Sequence, residues 1–542
     1  MPMRLITFQL LTLCAFGLYW PSLHYAPFFD DINFFEYGIH AVFLDGNPFH
    51  LRWLPYVTMA WLDLVFEDGV FAQRSANVGL HALTAFGLYS LIRQISSHVA
   101  PHRNNERAAV AAALLFLLHP LAVYAVGYMV QRTILMATLF GLLSLSAYFN
   151  GLVTRKKAYF FFSGLFYLLS AYSKEHAVLI PAVALALTPL AERFNAQTWK
   201  RLVLPFALFM PIAVLVIFNS LSVVGRIYEP HAVQQLAQVQ IDAEATGTGL
   251  IWLLSAMTQA SLFFKYLGLI LIPNPDWMSV DMRVPIATQI WETKYVLGIA
   301  AFAIYGLGAV FLLLKGGRRG LVGFALLAPW LLFAVEFSTV KVQEPFVLYR
   351  TYLWMWPLFL LVPVVSRNLP NKLFWPIILG VTLAFAYASS DRLKSFSGGY
   401  ALWDDAVRKL PEEQVTGVAR VYANRGNWNV KGGDLHAAVA DYTSALRADS
   451  RFKGAYTGRA FAYAKLGDFE SALRDANAFV ALFPEDPFSF TLRGLIYRDK
   501  GDIHLAMSDL EHACDMKSMG ACVALSVMKG RSSIPGASGQ QK

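Results

Sequence analysis

The sequence predicts an all-α protein in two parts. A polytopic transmembrane helical bundle of about 11 spans comes first, and a soluble α-solenoid of helix pairs follows. Three observations carry this reading. The 542-residue chain is 56% hydrophobic and only 15% charged, with a mean hydropathy of +0.46, which excludes an ordinary soluble enzyme. Apolar runs of roughly 15–22 residues recur as far as Ser389. Beyond them the composition turns polar, and small residues and Gly-Asp pairs return at a fixed interval.

The first run, Leu5 to Tyr19, closes at Trp20-Pro21. No small-x-small cleavage site follows, so it reads as a retained anchor rather than a signal peptide. Further spans fall at roughly 75–92, 108–125, 133–153, 158–172, 177–190, 202–219, 295–314, 321–337, 350–366 and 373–389. Basic residues cluster in alternate short loops: Arg93, Arg103 and Arg107; Arg155 to Lys157; Arg193, Lys200 and Arg201; Lys315, Arg318 and Arg319; Arg367 and Lys372. This is the positive-inside pattern, and it accounts for the net charge of +9 without a nucleic-acid partner. It puts Arg4 and the N-terminus in the cytoplasm. The apolar stretch Ile251 to Ile272 is ambiguous; a crossing there would carry Lys315 to Arg319 outside, so it reads as an interfacial or re-entrant helix. The tail then lies outside the membrane. The expected domains are a membrane domain at 1–395, a linker at 396–419, repeats at 420–530 and a disordered tail at 531–542.

This topology gathers polar segments on one outer face: Asp30-Asp31, His119 to Arg132, Ser173-Lys174-Glu175, Pro273 to Arg283 and Glu344 to Arg350. A pair of carboxylates at the water-facing mouth of a bundle suits acid–base chemistry. The alternative for Asp30 and Asp31 is a helix N-cap or a solvated loop charge. The long loop Ser22 to Arg74 interleaves Trp53, Trp61 and Phe66 with Arg52 and Asp63, as helices lying in the interface do.

In the tail, Gly433-Asp434, Gly467-Asp468 and Gly501-Asp502 recur every 34 residues, as do Asp441, Asp475 and Asp509, and Gly426, Ala460 and Gly494. Three agreeing columns at this period are the tetratricopeptide signature. Such arrays bind extended peptides or partner helices. The spacing of Cys514 and Cys522 resembles that of the bridged cysteines of secreted Sel1-type repeats, which implies a disulfide and an oxidising compartment. Two buried thiols are the alternative.

Phe29-Asp30-Asp31, the run His119-Pro120 to Tyr148, Ser173-Lys174-Glu175, Pro273 to Met278, Glu344 to Tyr352 and the trailing repeats, in that order, resemble bacterial members of the transmembrane-and-tetratricopeptide-repeat glycosyltransferases. These are O-mannosyltransferase-like enzymes of the GT-C superfamily. The resemblance implies a GT-C-like bundle, a polyprenyl-phosphate sugar donor, an acceptor hydroxyl and inversion at the anomeric carbon. It implies Asp30 and Asp31 as the catalytic carboxylates; Asp30 is taken as the base and Asp31 as its supporting partner, a choice the sequence leaves open. A leaving phosphate needs cations, and Arg132, Lys174, Arg350 and Arg52 are the candidates; snorkelling at a span end for Arg132 and Lys174, and an interface anchor beside Tyr349 for Arg350, are the alternatives. Glu175, Asp276 and Trp277 are candidates for sugar or acceptor contacts; an ion pair of Glu175 with Lys174 and a plain turn at Asp276 are the alternatives. The chain departs from the family at Val123, Tyr124, Thr133 and Ile134, where members often carry Thr, Glu or an acid. Mannose is therefore not carried over, and no metal or other cofactor is assigned. The implied partners are the lipid donor, membrane lipids and a protein held by the repeats. The expected setting is a bacterial inner membrane with the repeats outside. Two other readings stay open: transfer to a lipid or polysaccharide, and a non-catalytic scaffold.

Overall fold

The structure is a computed structural model that describes residues 2–36, 38, 42–47, 50–67, 69–227, 232–242, 246–413 and 415–530; the tail expected at 531–542 lies outside them. The chain divides into two compact units, Met1–Leu402 and Trp403–Lys542. Both are helical, and the single β-pairing among the described residues is an isolated bridge between Met282 and Phe346.

The first unit contains α1 (Pro2–Tyr19), α2 (Asp30–Glu36), α3 (Trp53–Val65), α4 (Gly69–Val99), α5 (Asn105–Leu117), α6 (Ala122–Val126), α7 (Arg132–Thr154), α8 (Ala158–Ser173), α9 (Ile180–Ala191) and α10 (Ala196–Ser220). It continues with α11 (Ala232–Gln238), α12 (Thr248–Leu271), α13 (Thr293–Leu314), α14 (Gly317–Phe333), α15 (Thr351–Trp354), α16 (Leu361–Val365) and α17 (Asn371–Ser395). Among the described residues seven helices are long and apolar enough to cross a membrane, or eight if the bent pair Leu348–Trp354 and Trp356–Val365 is one span. That is fewer than the sequence count. The difference lies in length: α5 and α9 have 13 and 12 residues, short of the roughly 20 a straight crossing needs. Helices of the bundle cover them, so apolar character there does not mean lipid contact. The peripheral α10 and α13, by contrast, expose Val214, Phe218, Leu297, Ile304 and Leu307, a broad apolar surface suited to lipid. Where α13 and α14 meet, a Cβ at Gly323 would stand 2.1 Å from the Leu313 backbone nitrogen, so only glycine lets these backbones approach.

The two ends of the bundle differ chemically. At one, Glu106 bonds Arg93 and Tyr89, Arg107 bonds Asn371, and Asn104 bonds the Arg367 carbonyl at 2.9 Å. At the other lies Asp30. From its start beside Arg107, α17 runs to this second end, where Phe396 packs on Phe28 and Tyr124. The helix α12 has the length of a span, yet both its flanks stay at the Asp30 end. Trp252 donates to the Phe337 carbonyl at 2.7 Å, and Met278, just past its C-terminus, accepts from Arg392 at 2.7 Å.

The helix α18 (Gly399–Arg408) lies within the expected linker. The second unit then pairs α19 (Val418–Gly432) with α20 (Leu435–Ala448), α21 (Lys453–Lys465) with α22 (Phe469–Leu482), and α23 (Pro487–Lys500) with α24 (Ile503–Asp515), and adds α25 (Met519–Met528). Gly433, Gly467 and Gly501 take φ of +84°, +80° and +99°, the left-handed turn that ends each first helix. Asp434 and Asp468 then accept the N–H of Ala437 and Ser471, capping the second helix. The repeating aspartates are each gripped by an arginine: Arg425 on Asp441, Arg459 on Asp475 and Arg493 on Asp509. The same arginines reach back to Asp404, Thr443 and Asn477. Asp475→Ala strands a half-buried guanidinium and is expected to cost about 1–3 kcal/mol locally. Hydrogen exchange on the full chain should show α21 and α22 losing protection while α4 and α7 keep theirs. Cys514 and Cys522 are bridged, joining α24 to α25, and Cys14 is a free, half-buried thiol in α1.

Candidate active site

The two aspartates sit in different surroundings. Asp30 opens α2 and is exposed, while Asp31 is fully buried. Phe29, immediately before them, has φ +51°, a left-handed conformation that costs an aromatic residue energy and is held by its surroundings. Asp30 accepts from the Tyr128 phenol at 2.7 Å through Oδ2. Asp31 accepts backbone N–H groups on both oxygens, from Val130 at 2.8 Å and Met129 at 3.2 Å. It thereby satisfies the open N-terminus of the 3₁₀ turn leading into α7. Burial pushes Asp31 up to about 7, against the pull of Arg74 and the two N–H groups. Asp31 is thus enclosed by the loop it braces, while Asp30 is the carboxylate open to solvent. Arg74 fixes the same loop by donating to the carbonyls of Tyr25, Ala26 and Gly127 at 2.9, 3.1 and 2.8 Å.

A cluster of charges lies at the same end. Arg52 at the N-terminus of α3, with φ +65°, forms a two-pronged ion pair with Glu175, one arm at 2.9 Å. His176 stands between two carboxylates, with Nδ1 3.4 Å from Glu175 and Nε2 3.7 Å from Glu336. Glu336 also takes Arg350 at 3.0 Å and Lys341 at 3.9 Å. Lys174 is 6% exposed and forms no side-chain hydrogen bond or ion pair among the described residues. Burial, reinforced by Arg52, Arg350 and Lys341, pushes its ammonium down to about 7. Opposing the burial that would raise it, His176, Lys174 and Arg52 hold Glu175 well below the usual carboxylate range. Arg52, Glu175, His176 and Lys341 head a cleft of about 350 Å³. The rest of it is largely apolar, with Val216, Ile217, Val223 and Val335 among its walls. Ile217 is itself half-exposed on α10, so the cleft meets the exposed apolar surface of that helix.

Tyrosines connect the two groups. Tyr56 stands against Arg52 and within electrostatic reach of Glu175 and Asp30. The Tyr128 and Tyr349 rings are 6.3 Å apart, and Tyr349 precedes Arg350.

Of the residues singled out in the sequence, Arg52, Lys174, Glu175 and Arg350 come together. Arg132 does not join them. It is 1% exposed and donates to Asn77, Thr58 and Gln73, and the charges it feels are Asp63 and Asp31. Its guanidinium ties α3 and α4 to α7. Asp276 and Trp277 form an exposed 3₁₀ turn that Asn274 caps at 3.0 Å, on the segment that Arg392 holds. Sequence reading missed Tyr128, His176, Glu336, Lys341 and Arg74. Glu336, a lone acid at the edge of an apolar run, carried a signal, as did Arg74 in the polar start of α4.

Comparison with known proteins finds the tetratricopeptide repeat family at residues 489–518. Superkiller protein 3 of Schizosaccharomyces pombe is 30% identical over 94 residues, which is 17% of this chain and 7% of that protein. Among solved structures, the oligosaccharyltransferase AglB of Archaeoglobus fulgidus, in complex with an inhibitory peptide and a dolichol-phosphate, aligns at 14% identity and a TM-score of 0.38. That alignment covers 78% of this chain and 57% of that one. A second structure of the A. fulgidus oligosaccharyltransferase, tethered to an acceptor peptide, aligns at 13% identity and a TM-score of 0.38, over 89% and 72% of the two chains. The family match thus falls within the second unit.

Proposed function

We propose that the protein is a membrane glycosyltransferase that moves a sugar from a polyprenyl-phosphate donor to a hydroxyl, with inversion. The observation that carries this reading is Lys174, a buried ammonium that forms no side-chain hydrogen bond or ion pair among the described residues, next to Glu175 at the head of a cleft that is charged there and apolar along its walls. A lipid phosphate matches both parts: its headgroup meets the cations, and its hydrocarbon lies along Val216 and Ile217. The exposed carboxylate of Asp30, oriented by Tyr128, takes the proton from the acceptor hydroxyl as its oxygen attacks the anomeric carbon. The bond from that carbon to the phosphate oxygen breaks, and the phosphate leaves with the electron pair, stabilised by Lys174 with Arg52 and Arg350. The acceptor is a serine or threonine of an exported protein, which the repeats hold. Glu175, Asp276 and Trp277 are the proposed sugar or acceptor contacts, although Glu175 is already committed to Arg52.

Membranes containing the protein, given a radiolabelled polyprenyl-phosphate sugar, test this directly. Label should pass to the protein fraction. Label in lipid extracts would replace the protein acceptor with a lipid, and no transfer in the presence of candidate acceptors would favour a scaffold. The orientation proposed, with Asp30 and the repeats outside a bacterial inner membrane, predicts that a reporter active only in the periplasm works when fused after Lys542. It also suits the Cys514–Cys522 bridge, which needs an oxidising compartment. A silent reporter on a stably produced fusion would sink that orientation.

A further inference from the structure

The end of the bundle opposite Asp30 holds a second charged assembly. Arg103 and Arg107 come from the α4–α5 turn and the start of α5, Arg318 from the start of α14 and Arg367 from the turn after α16. These loops are tied together: Asn104 donates to the Arg367 carbonyl at 2.9 Å, and Arg107 donates to Asn371 and to the Leu369 carbonyl. Arg318 and Arg367 line one small cavity with Ser96 and Asn105. His102 lies within electrostatic reach of Arg367, Arg103, Arg107 and Arg318.

The nearby acids are already engaged, Glu106 by Arg93 and Glu192 by Arg201. Arg103, Arg318 and Arg367 form no side-chain hydrogen bond or ion pair among the described residues. The general excess of arginine in loops on one side of a membrane explains their number. It does not explain why arginines from three loops converge on one seam without an acid. Apolar surface adjoins the seam: Leu314, four residues before Arg318, and Val365, two before Arg367, are 69% and 74% exposed.

We propose that this seam binds an anionic phospholipid headgroup carrying two phosphates, with the acyl chains lying along Leu314 and Val365. Two phosphates on one headgroup would serve arginines from separate loops at once. This site is separate from the donor cleft and does not depend on its assignment.

Native mass spectrometry of the full-length protein, released from nanodiscs containing phosphatidylcholine, phosphatidylglycerol and cardiolipin, should find cardiolipin retained in preference to phosphatidylcholine. Retention should fall about fivefold for each arginine removed in Arg318→Ala and Arg367→Ala. The double variant to lysine should keep a larger share of the lipid than the double variant to alanine. Melting in phosphatidylcholine alone identifies any variant that fails to fold; for such a variant the lysine exchange supplies the comparison. Equal retention by wild type and folded variants, or no preference over phosphatidylcholine, would overturn the proposal. Inorganic pyrophosphate forms the second arm: if it stabilises the protein as strongly as cardiolipin, the ligand is a soluble phosphate and the lipid assignment falls.

Discussion

Asp30→Asn is expected to lower sugar transfer about 10²–10⁴-fold, the range for losing a general base, and to leave the melting temperature unchanged. Asparagine keeps the shape and still accepts from Tyr128, but it cannot take a proton. Because Asp30 is exposed, nothing in the fold depends on its charge. Asp31→Asn should behave in the opposite way. Both Asp31 oxygens satisfy backbone N–H groups, and an amide turns one acceptor into a donor facing an N–H. The expected cost is about 1–3 kcal/mol, read as a lower melting temperature, with activity per folded molecule falling far less than in Asp30→Asn. Measuring transfer and melting on the same preparations separates the two. Full activity in a folded Asp30→Asn protein, with loss confined to Asp31→Asn, would reverse the assignment.

Lys174→Met should make the protein more stable below neutral pH while weakening transfer about 10²–10³-fold. The sign follows from the proton balance. Burial and neighbouring cations bring the ammonium down to about 7 in the folded state, against about 10.4 in an unfolded chain. Between those values the folded state binds fewer protons, so stability rises with pH across this window. The penalty is complete below about pH 7 and fades toward pH 10. Methionine removes it, so the gain in melting temperature should be largest near pH 6.5 and vanish near pH 10. A phosphate in the cleft favours the charged form, so donor binding should take up a proton above pH 7. The donor KM of the wild type should climb from pH 7 to 9, and Lys174→Arg should flatten that rise. A methionine variant that is less stable at pH 6.5, with an unchanged donor KM, would show that Lys174 only packs.

The parts of the chain that were legible in the sequence are those whose physics is local. A 34-residue repeat announces itself in glycines that need a left-handed turn and aspartates that cap the next helix. The basic loops report which ends of helices share a face. Asp30-Asp31 and Ser173-Lys174-Glu175 stand out as charges at the edges of apolar runs. The remainder of the site depends on pairings across the bundle. Glu336 gathers Lys341 and Arg350 from the stretch that follows it and His176 from a distant segment, and no spacing in the chain foretells that one carboxylate serves all three. Arg132 illustrates the same limit from the other side. A cation at the start of an apolar helix suits a phosphate or a snorkelling anchor, but Asn77, Thr58 and Gln73 claim it instead. Hydropathy marks apolar runs without separating short helices packed inside the bundle, such as α5 and α9, from helices long enough to cross a membrane alone.

The arginine rungs of the second unit bear on how such a chain is inherited. Each of the two later arginines bonds one partner within its own 34 residues, the aspartate, and one in the unit before it, Thr443 or Asn477. Duplicating a unit therefore copies both halves, and the array can lengthen by simple tandem repetition. The first arginine has no earlier unit to lean on, and Asp404, from a segment outside the repeat register, fills the place. A gene fragment that begins at Val418 would leave Arg425 without this partner, so the heritable module begins upstream of the first recognisable repeat.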